Sequence, residues 1–149
     1  MIQFRAITEK NFKAVLDMKT GEGKAFVPSN ARSLAQAWLY RDNNDVYCFA
    51  IYDDETPVGF MQLDEDPEER VIGLWRVMID EQYQGKGFGT AAVRLIISLV
   101  RESGKYDRMS LGCVEENAVG MHIYEKLGFR PTGEVEYGEV QMELMFTAD

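Results

Sequence analysis

The sequence has little of what metal enzymes, membrane proteins and disulfide-bonded secreted domains require. Its single histidine, His122, has no second ligand type at a metal-binding spacing, so we expect no metal site. No apolar run approaches the roughly eighteen residues of a membrane helix, and the first residues lack the pattern of a signal peptide. The two cysteines, Cys48 and Cys113, both lie inside apolar runs. We therefore expect free, buried thiols in the reducing environment of the cytoplasm, and no membrane partner.

Positive charge is also scarce. The chain has 16 lysines and arginines against 25 aspartates and glutamates, which gives a net charge of −9. Binding to nucleic acid depends on clustered basic residues, so the composition excludes a nucleic-acid partner. An acidic surface can attract a cationic substrate over long distances, or it can serve solubility alone. Composition leaves both interpretations open.

The length and the hydrophobic pattern predict a single α/β domain over residues 1–149. The predicted order is strand, two helices, three strands, helix, strand, helix and two strands. The predicted strands are 2–7, 46–52, 58–63, 71–79, 109–114 and a hairpin within 133–146. Strands that alternate with helices in the middle of the chain favour a mixed sheet with helices packed on it.

Capping residues and glycines set the predicted helix ends. Thr8, Ser33 and Asn117 are each placed to cap a helix. The helix with the clearest apolar face follows residues 84–90 and ends at Gly104. Its predicted buried positions are Ala91, Leu95, Ile96, Leu99 and Val100. The acidic run 64–69 is predicted to connect the third and fourth strands.

A glycine-rich run, Gln-Gly-Lys-Gly-Phe-Gly-Thr at 84–90, lies between a strand and that amphipathic helix. The first turn of a helix offers unpaired N–H groups and the positive end of the helix dipole, and glycines let an anion approach the backbone closely. The spacing matches neither the dinucleotide fingerprint nor the P-loop. A glycine-rich turn that merely starts a helix is the alternative. We predict a pyrophosphate site.

Two motifs resemble those of the GNAT superfamily of N-acetyltransferases. Gln84-x-x-Gly87-x-Gly89 is similar to the Q/R-x-x-G-x-G/A signature of that family, and 117–129 is similar to its second motif. Residues 74–80 look like its fourth strand. The resemblance implies the GNAT fold, a mixed, splayed β-sheet with helices on both faces. Segments 75–87 and 132–140, which include Gly138-Glu139-Val140, are most similar to bacterial spermine/spermidine (diamine) acetyltransferases.

The resemblance implies acetyl-CoA as the co-substrate and direct acetyl transfer to a primary amine, with a small cationic polyamine as the expected acceptor. A family member that acts on an amino acid, an aminoglycoside or a protein amine is one alternative. A non-catalytic acetyl-CoA-binding module is another. The family also forms dimers, so a homodimer stays open. In the family the acceptor pocket is built from the loop around 21–27 and the last hairpin.

The resemblance also assigns roles to individual residues. Tyr124 would protonate the departing CoA thiolate. Asn117 would contact pantetheine, although a helix cap explains this residue nearly as well. The residues expected to bind the cofactor are Val77, Met78, Ile79, Gln84, Gly85, Lys86, Gly87, Phe88, Gly89, Thr90, Asn117 and Gly120.

The base that deprotonates the amine is the least defined part of the predicted site. Many relatives carry a carboxylate on the fourth strand, where this chain has Trp75 and Arg76. The predicted substrate residues are Trp75 together with Asp64 or Glu65, which could act through water. A mechanism with no dedicated base, and a solvated surface role for both carboxylates, stay open. Cys113 is expected to be a core residue rather than a nucleophile, because it lacks an activating partner.

Overall fold

The fold is known from a computed structural model, which describes residues 1–21 and 29–146. In that part of the chain there are seven strands and four α-helices. The strands are β1 Ile2–Ala6, β2 Val46–Asp53, β3 Thr56–Asp66, β4 Val71–Ile79, β5 Arg108–Val114, β6 Arg130–Glu136 and β7 Glu139–Met145. The helices are α1 Phe12–Asp17, α2 Asn30–Leu39, α3 Phe88–Ser103 and α4 Ala118–Lys126. The predicted element order is confirmed.

All seven strands form one sheet in the order β1-β2-β3-β4-β5-β7-β6. Neighbouring strands are antiparallel except β4 and β5, which are parallel and joined by α3. A parallel pair needs a long crossover, and the helix after the glycine run supplies it. The predicted mixed sheet is therefore confirmed.

Helices cover both faces of the sheet. Alternate residues of a strand point to opposite faces, so neighbouring residues can pack in two different cores. On β3, Phe60 packs with Val15 of α1, while its neighbour Met61 packs in a second core with Val93 of α3. Both β3 side chains are fully buried. Strand 56–66 is thus covered on both faces, which explains its run of apolar residues.

The first two helix caps differ from the predictions. Ser29, not Ser33, caps α2, since its hydroxyl accepts a hydrogen bond from the backbone N–H of Arg32 at 3.2 Å. Ser33 is buried within the helix. Asn11, not Thr8, precedes α1, and its side chain bonds the Thr8 N–H instead of the helix. A cap must directly precede the first turn, and neither Thr8 nor Ser33 has that position.

Two further predictions need correction. The acidic run is only partly a connection, because β3 continues to Asp66 and pairs there with Val71 of β4. Backbone pairing with a neighbour outweighs the weak strand preference of acidic residues. On α3 the buried positions are Ala92, Val93, Ile96, Ile97 and Val100, whereas Leu99 is 47% exposed. The buried face of α3 is therefore shifted by about one residue from the predicted face.

Three other predicted features are confirmed, although β6 begins at Arg130, three residues before the predicted hairpin. Asn117 caps α4, Gly104 ends α3, and β6 and β7 form a hairpin through Tyr137 and Gly138. Both turn residues have positive φ, at 52° and 77°, as a two-residue hairpin requires. None of the described helices is long and apolar enough to span a membrane.

Candidate active site

The sheet opens between β4 and β5. The two strands pair from Val71 opposite Arg108 only as far as Leu74 opposite Leu111. At that point β4 carries a bulge, since Leu63 and Gln62 of β3 pair with Leu74 and Arg76, which leaves one extra residue between them. A bulge bends its strand and increases the twist. The strands diverge beyond it, as the family resemblance predicted.

The extra residue at the bulge is Trp75. From there to the end of β4 the backbone still pairs with β3 on one side, and on its other side it faces the opening instead of β5. Unpaired backbone N–H and C=O groups need partners, and an extended ligand can supply them as another strand would. Val77, Met78 and Ile79, which the sequence assigned to the cofactor, lie on this edge.

The start of α3 meets the requirements of an anion site. Gly85 and Gly87 have φ of 80° and 83°, which an L side chain rarely adopts. No side chain of the described residues caps the helix. The N–H groups of Phe88, Gly89 and Thr90, in the first turn, thus have no partner inside the helix. Lys86 is exposed at the rim, with its Nζ 6.0 Å from the Tyr83 ring.

Gln84 shapes this loop through its side chain. Its amide donates hydrogen bonds to the carbonyls of Thr20 at 3.0 Å and Ile79 at 2.9 Å. The buried Asp80 carboxylate accepts from the Lys19 N–H at 3.1 Å. These bonds join the glycine loop to the segment that follows α1. This role of Asp80 could not be predicted from the sequence, because the partner lies 61 residues away.

Two cavities adjoin the opening. A narrow one of about 130 Å³ is lined by Val77, Met78, Ile79, Gly89, Val93, Gly120, Ile123 and Tyr124. A wider, more polar one of about 560 Å³ is lined by Ser29, Arg32, Leu74, Trp75, Arg76, Val77, Gly112, Cys113, Val114, Asn117, Tyr124, Tyr137 and Glu139. Tyr124 and Val77 line both cavities. Every cofactor residue predicted from the second motif therefore lies at this opening.

Tyr124 lies on α4 and packs edge-on against Phe129, with ring centroids 5.9 Å apart. Burial, and to a lesser degree the neighbouring Cys113 thiol, raises the pKa of Tyr124 well above its ordinary value. The phenol therefore keeps its proton at neutral pH and can act as a donor.

Asn117 and Gly120 act together at the start of α4. The Asn117 Oδ1 accepts a hydrogen bond from the Gly120 N–H at 3.0 Å. A Cβ at Gly120 would lie 2.5 Å from the Asn117 Nδ2, so the cap needs a glycine there. The cap interpretation of Asn117 is thus confirmed. Its side chain also lines the wider cavity, which keeps a ligand contact compatible with the cap.

Two arginines contribute to the wider cavity. The Arg76 guanidinium donates to the Ser33 hydroxyl at 3.1 Å, to the Gln62 Oε1 at 3.2 Å and to the side chain of Gln36. It also lies 4.7 Å from the Trp75 ring. Burial and the nearby charge of Arg32 lower the pKa of Arg76. Neutral partners from α2 and β3 thus hold this cation at the cavity wall.

The structure does not bring Asp64 and Glu65 to the cavity. Glu65 accepts hydrogen bonds from the Tyr47 hydroxyl at 2.6 Å and from the Tyr106 hydroxyl. Asp64 lies opposite Gly73, toward the end of the sheet where β4 begins. Trp75 is the one predicted substrate residue that lines the cavity. The predicted loop 21–27 lies, apart from Gly21, outside the described residues.

Glu139 is a site residue that the sequence interpretation missed. It is the only carboxylate among the described residues that line the wider cavity. Two signals were available, namely the glycine at 112 inside an apolar strand and the Gly138-Glu139-Val140 segment of the family resemblance. Neither signal showed that β5 and β7 are neighbours in the sheet, because α4 and β6 lie between them in the sequence.

Cys113 behaves as a core residue. It is 5% exposed, and burial, with a smaller effect of Glu139, raises its pKa to about 11. A neutral thiol is a weak nucleophile, so the geometry gives no support to an acyl-cysteine. The described part of the chain also contains no group of three or more His, Cys, Asp or Glu residues placed to hold a metal.

Comparisons with known proteins agree with this geometry. The model of the acetyltransferase (GNAT) family matches residues 13–129. Spermine/spermidine N(1)-acetyltransferase of Bacillus subtilis is 30% identical over 146 residues, which cover 91% of this chain and 92% of the relative. Spermidine N(1)-acetyltransferase of Escherichia coli K12 is 30% identical over 87 residues, which cover 58% of this chain and 47% of the relative.

Solved structures share the fold. The spermidine N-acetyltransferase of Vibrio cholerae in complex with CoA and spermine has a TM-score of 0.77 at 17% identity, over 97% of this chain and 95% of that one. The PaiA N-acetyltransferase of Thermoplasma acidophilum in complex with coenzyme A has a TM-score of 0.73 at 17% identity, over 97% and 99% of the two chains. The matched family model, the fold and the splayed sheet agree, and the chain belongs to the acetyltransferase (GNAT) family of N-acetyltransferases.

Proposed function

We propose that this enzyme transfers the acetyl group of acetyl-CoA directly to a primary amine of a polyamine such as spermidine or spermine. The observation that carries the proposal is the position of Tyr124, which lines both the narrow cavity and the wider polar one. A protonated phenol between a donor cavity and an acceptor cavity is suited to acetyl transfer between the two.

The described residues match the chemical parts of acetyl-CoA, the proposed acetyl donor. The uncapped first turn of α3, with glycines at 85, 87 and 89, suits a pyrophosphate. The free edge of β4 at Val77, Met78 and Ile79 suits the amides of a pantetheine arm. The narrow cavity between them is mostly apolar. Each feature matches one chemical part of CoA.

The transfer follows from these positions. An amine in the wider cavity attacks the thioester carbon, and the C–S bond of the resulting tetrahedral intermediate breaks. Tyr124 donates its proton to the departing thiolate and recovers one from the acetylated nitrogen. No covalent acetyl-enzyme is needed, in agreement with the neutral thiol of Cys113.

Two observations support a polyamine as the acceptor. The Bacillus subtilis relative that covers 91% of this chain is named for spermine and spermidine. The net charge of −9 favours the approach of cations over anions. A single domain over 1–149 that acts in the cytoplasm accords with these relatives and remains part of the proposal.

A second acceptor class has one specific observation in its favour. Arg32 and Arg76 both line the wider cavity, and a guanidinium pair suits a carboxylate. An amino acid carries both a carboxylate and an amine. The two candidates therefore predict opposite effects when one of these arginines is removed.

Thiol release from acetyl-CoA separates the candidates. The enzyme would be assayed with spermidine, spermine, a monoamine and a set of amino acids, in the wild type and in Arg32→Ala. We expect spermidine and spermine to give the highest kcat/KM, and Arg32→Ala to leave it unchanged or raise it. An amino acid as the best acceptor, with a rate that falls in Arg32→Ala, would replace the polyamine proposal. If no amine releases thiol faster than the hydrolysis of acetyl-CoA, both acceptor proposals are wrong.

A further inference from the structure

We propose that Glu139 binds the ammonium group of the acceptor and takes its proton before the nitrogen attacks. The proposal rests on the proposed function, because it needs an amine in the wider cavity. It gives a base to a site whose fourth strand carries Trp75 and Arg76 instead of a carboxylate.

The position of Glu139 is fixed by two strands. It is the first residue of β7 and pairs with Val114, the last residue of β5. This part of β5 lies past Leu111, where its pairing with β4 has ended, and forms the far wall of the opening. Glu139 thus lines the wider cavity together with Tyr124. An amine between the two would have a proton acceptor and the proposed acid within one cavity.

Gly112 makes room for the carboxylate. A Cβ built at Gly112 would lie 2.9 Å from the Glu139 Oε1 and 3.2 Å from the Glu139 Cβ. The φ of Gly112 is not positive, so the backbone conformation alone does not require glycine. The absence of a side chain instead lets the Glu139 side chain lie against the strand, inside the cavity.

The charges around Glu139 leave its carboxylate available. Arg76 of β4, Arg32 of α2, Cys113 of β5, Tyr124 of α4 and Tyr137 of the β6–β7 turn line the same cavity. Within residues 1–21 and 29–146, the carboxylate takes part in no salt bridge shorter than 4.0 Å. Arg76 is already bonded to Ser33, Gln36 and Gln62.

The negative charge of Glu139 nonetheless acts inside the site. It contributes to the raised pKa of Cys113. It also opposes the lowering of the pKa of Arg76. A partly buried carboxylate without a salt-bridge partner among the described residues would gain from a bound ammonium, since the desolvation of both charges would be offset.

The protons balance. The ammonium gives one proton to Glu139 and becomes the free amine, whose lone pair attacks the thioester carbon. Tyr124 protonates the departing thiolate and regains a proton from the new amide nitrogen. Glu139 then releases its proton to solvent through the open cavity, so one proton appears per acetylated amine.

The central test is Glu139→Gln, with Glu136→Gln as the matched control, because Glu136 pairs with Glu139 across the hairpin and lies outside the cavity lining. At about pH 7 we expect kcat/KM for spermidine to fall about 100-fold in Glu139→Gln, with an unchanged KM for acetyl-CoA. The loss should shrink toward about pH 9.5, because free amine then forms in solution. The control should stay within about twofold of the wild type.

Gly112→Ala provides a second variant that keeps the carboxylate. Its methyl group would lie 2.9 Å from the Glu139 Oε1, 3.0 Å from the Gln141 Nε2 and 3.2 Å from the Glu139 Cβ. The first two atoms are ends of flexible side chains, so we expect an intact fold and a fall in kcat/KM of about tenfold. The calorimetric affinity of spermine for the CoA-bound enzyme should also fall in Glu139→Gln. Equal kinetics in Glu139→Gln and Glu136→Gln, or a loss that does not change with pH, would overturn the assignment. A wild type that neither binds nor acetylates any amine would overturn the proposed function as well.

Discussion

At the scale of single residues, the chemistry depends on side chains whose surroundings differ from those of the free amino acid. Burial keeps the Tyr124 phenol and the Cys113 thiol protonated, and it weakens the hold of Arg76 on its proton. Among the described residues, the site therefore contains one proposed acid, Tyr124, and one carboxylate without a salt bridge, Glu139, near a thiol that stays neutral. This distribution favours direct transfer over an acetyl-cysteine intermediate.

Removal of the Tyr124 hydroxyl tests its role as the acid. We expect Tyr124→Phe to lower kcat about 100-fold, because the thiolate would leave without a proton donor. The calorimetric affinity for acetyl-CoA should change little, since the ring and its contact with Phe129 remain. Tyr40→Phe, at an exposed tyrosine outside both cavities, is the control. A kcat that equals that of the control would remove Tyr124 from the mechanism.

Asn117 has a confirmed role as a cap and a proposed role in binding pantetheine. Asn117→Ala should lower the free energy of unfolding by about 1 kcal/mol, whereas Asn117→Ser should keep most of the cap. Both variants should raise the KM for acetyl-CoA about fivefold, because each lacks the amide that would bond the ligand. Denaturant titration and steady-state kinetics separate the two roles. If the KM of Asn117→Ser for acetyl-CoA equals that of the wild type, Asn117 acts only as a helix cap.

At the scale of elements, the bulge in β4 and the crossover helix α3 together form the proposed donor site. The bulge at Trp75 ends the pairing with β5 and exposes the backbone of 77–79. The same strand then leads through the glycine loop into the start of α3, which no described side chain caps. One continuous segment thus supplies an unpaired strand edge and an unpaired helix terminus, which are the two backbone features that bind CoA in the proposed function.

The two ends of α3 offer a matched test of the glycine loop. Gly87 and Gly104 both have positive φ, at 83° and 68°, and neither has an atom within 4 Å of an added Cβ. Alanine should therefore cost about 1 kcal/mol of strain at either position, which lowers Tm by about 3 °C. Only Gly87→Ala should also raise the KM for acetyl-CoA, by about tenfold, since Gly104 lies at the far end. Equal KM values in the two variants would argue against a pyrophosphate site here.

At the scale of the whole molecule, charge is distributed unevenly between the surface and the wider cavity. The chain carries a net charge of −9, yet the wider cavity holds Arg32 and Arg76 beside Glu139. Long-range attraction of a polycation would therefore come from the surface, while Glu139 would select the ammonium that reacts. Attraction of this kind is screened by salt over a Debye length of about 8 Å at physiological ionic strength.

The salt dependence of kcat/KM measures the contribution of the surface. Between low salt and about 0.3 M NaCl we expect kcat/KM for spermine to fall about fivefold, and that for a monoamine by less than about twofold. The monoamine serves as the internal control, because it reacts at the same site with a single charge. If both substrates respond equally to salt, the acidic surface serves solubility and not substrate capture.

The sequence alone determined the element order and the end of the long helix at Gly104, and it predicted where the proposed donor site lies. These features depend on local chemistry, namely the helical repeat of apolar residues, the left-handed conformations at Gly87 and Gly104 and the cap at Asn117. Local patterns failed where a distant partner decided the outcome. Ser33 faces the sheet instead of capping α2, and the acidic end of β3 pairs with β4 instead of forming a loop.

Only the tertiary structure decided which carboxylate lines the wider cavity. Asp64 and Glu65 are near the site in sequence, but β3 carries them away from the opening, where Tyr47 and Tyr106 bind Glu65. Glu139 reaches the cavity because β7 pairs with β5 after α4 and β6 have intervened, and because Gly112 has no side chain to block it. The physical reason is general to such sites. A helix terminus is built from consecutive residues, whereas an acceptor pocket is built from residues that only folding brings together.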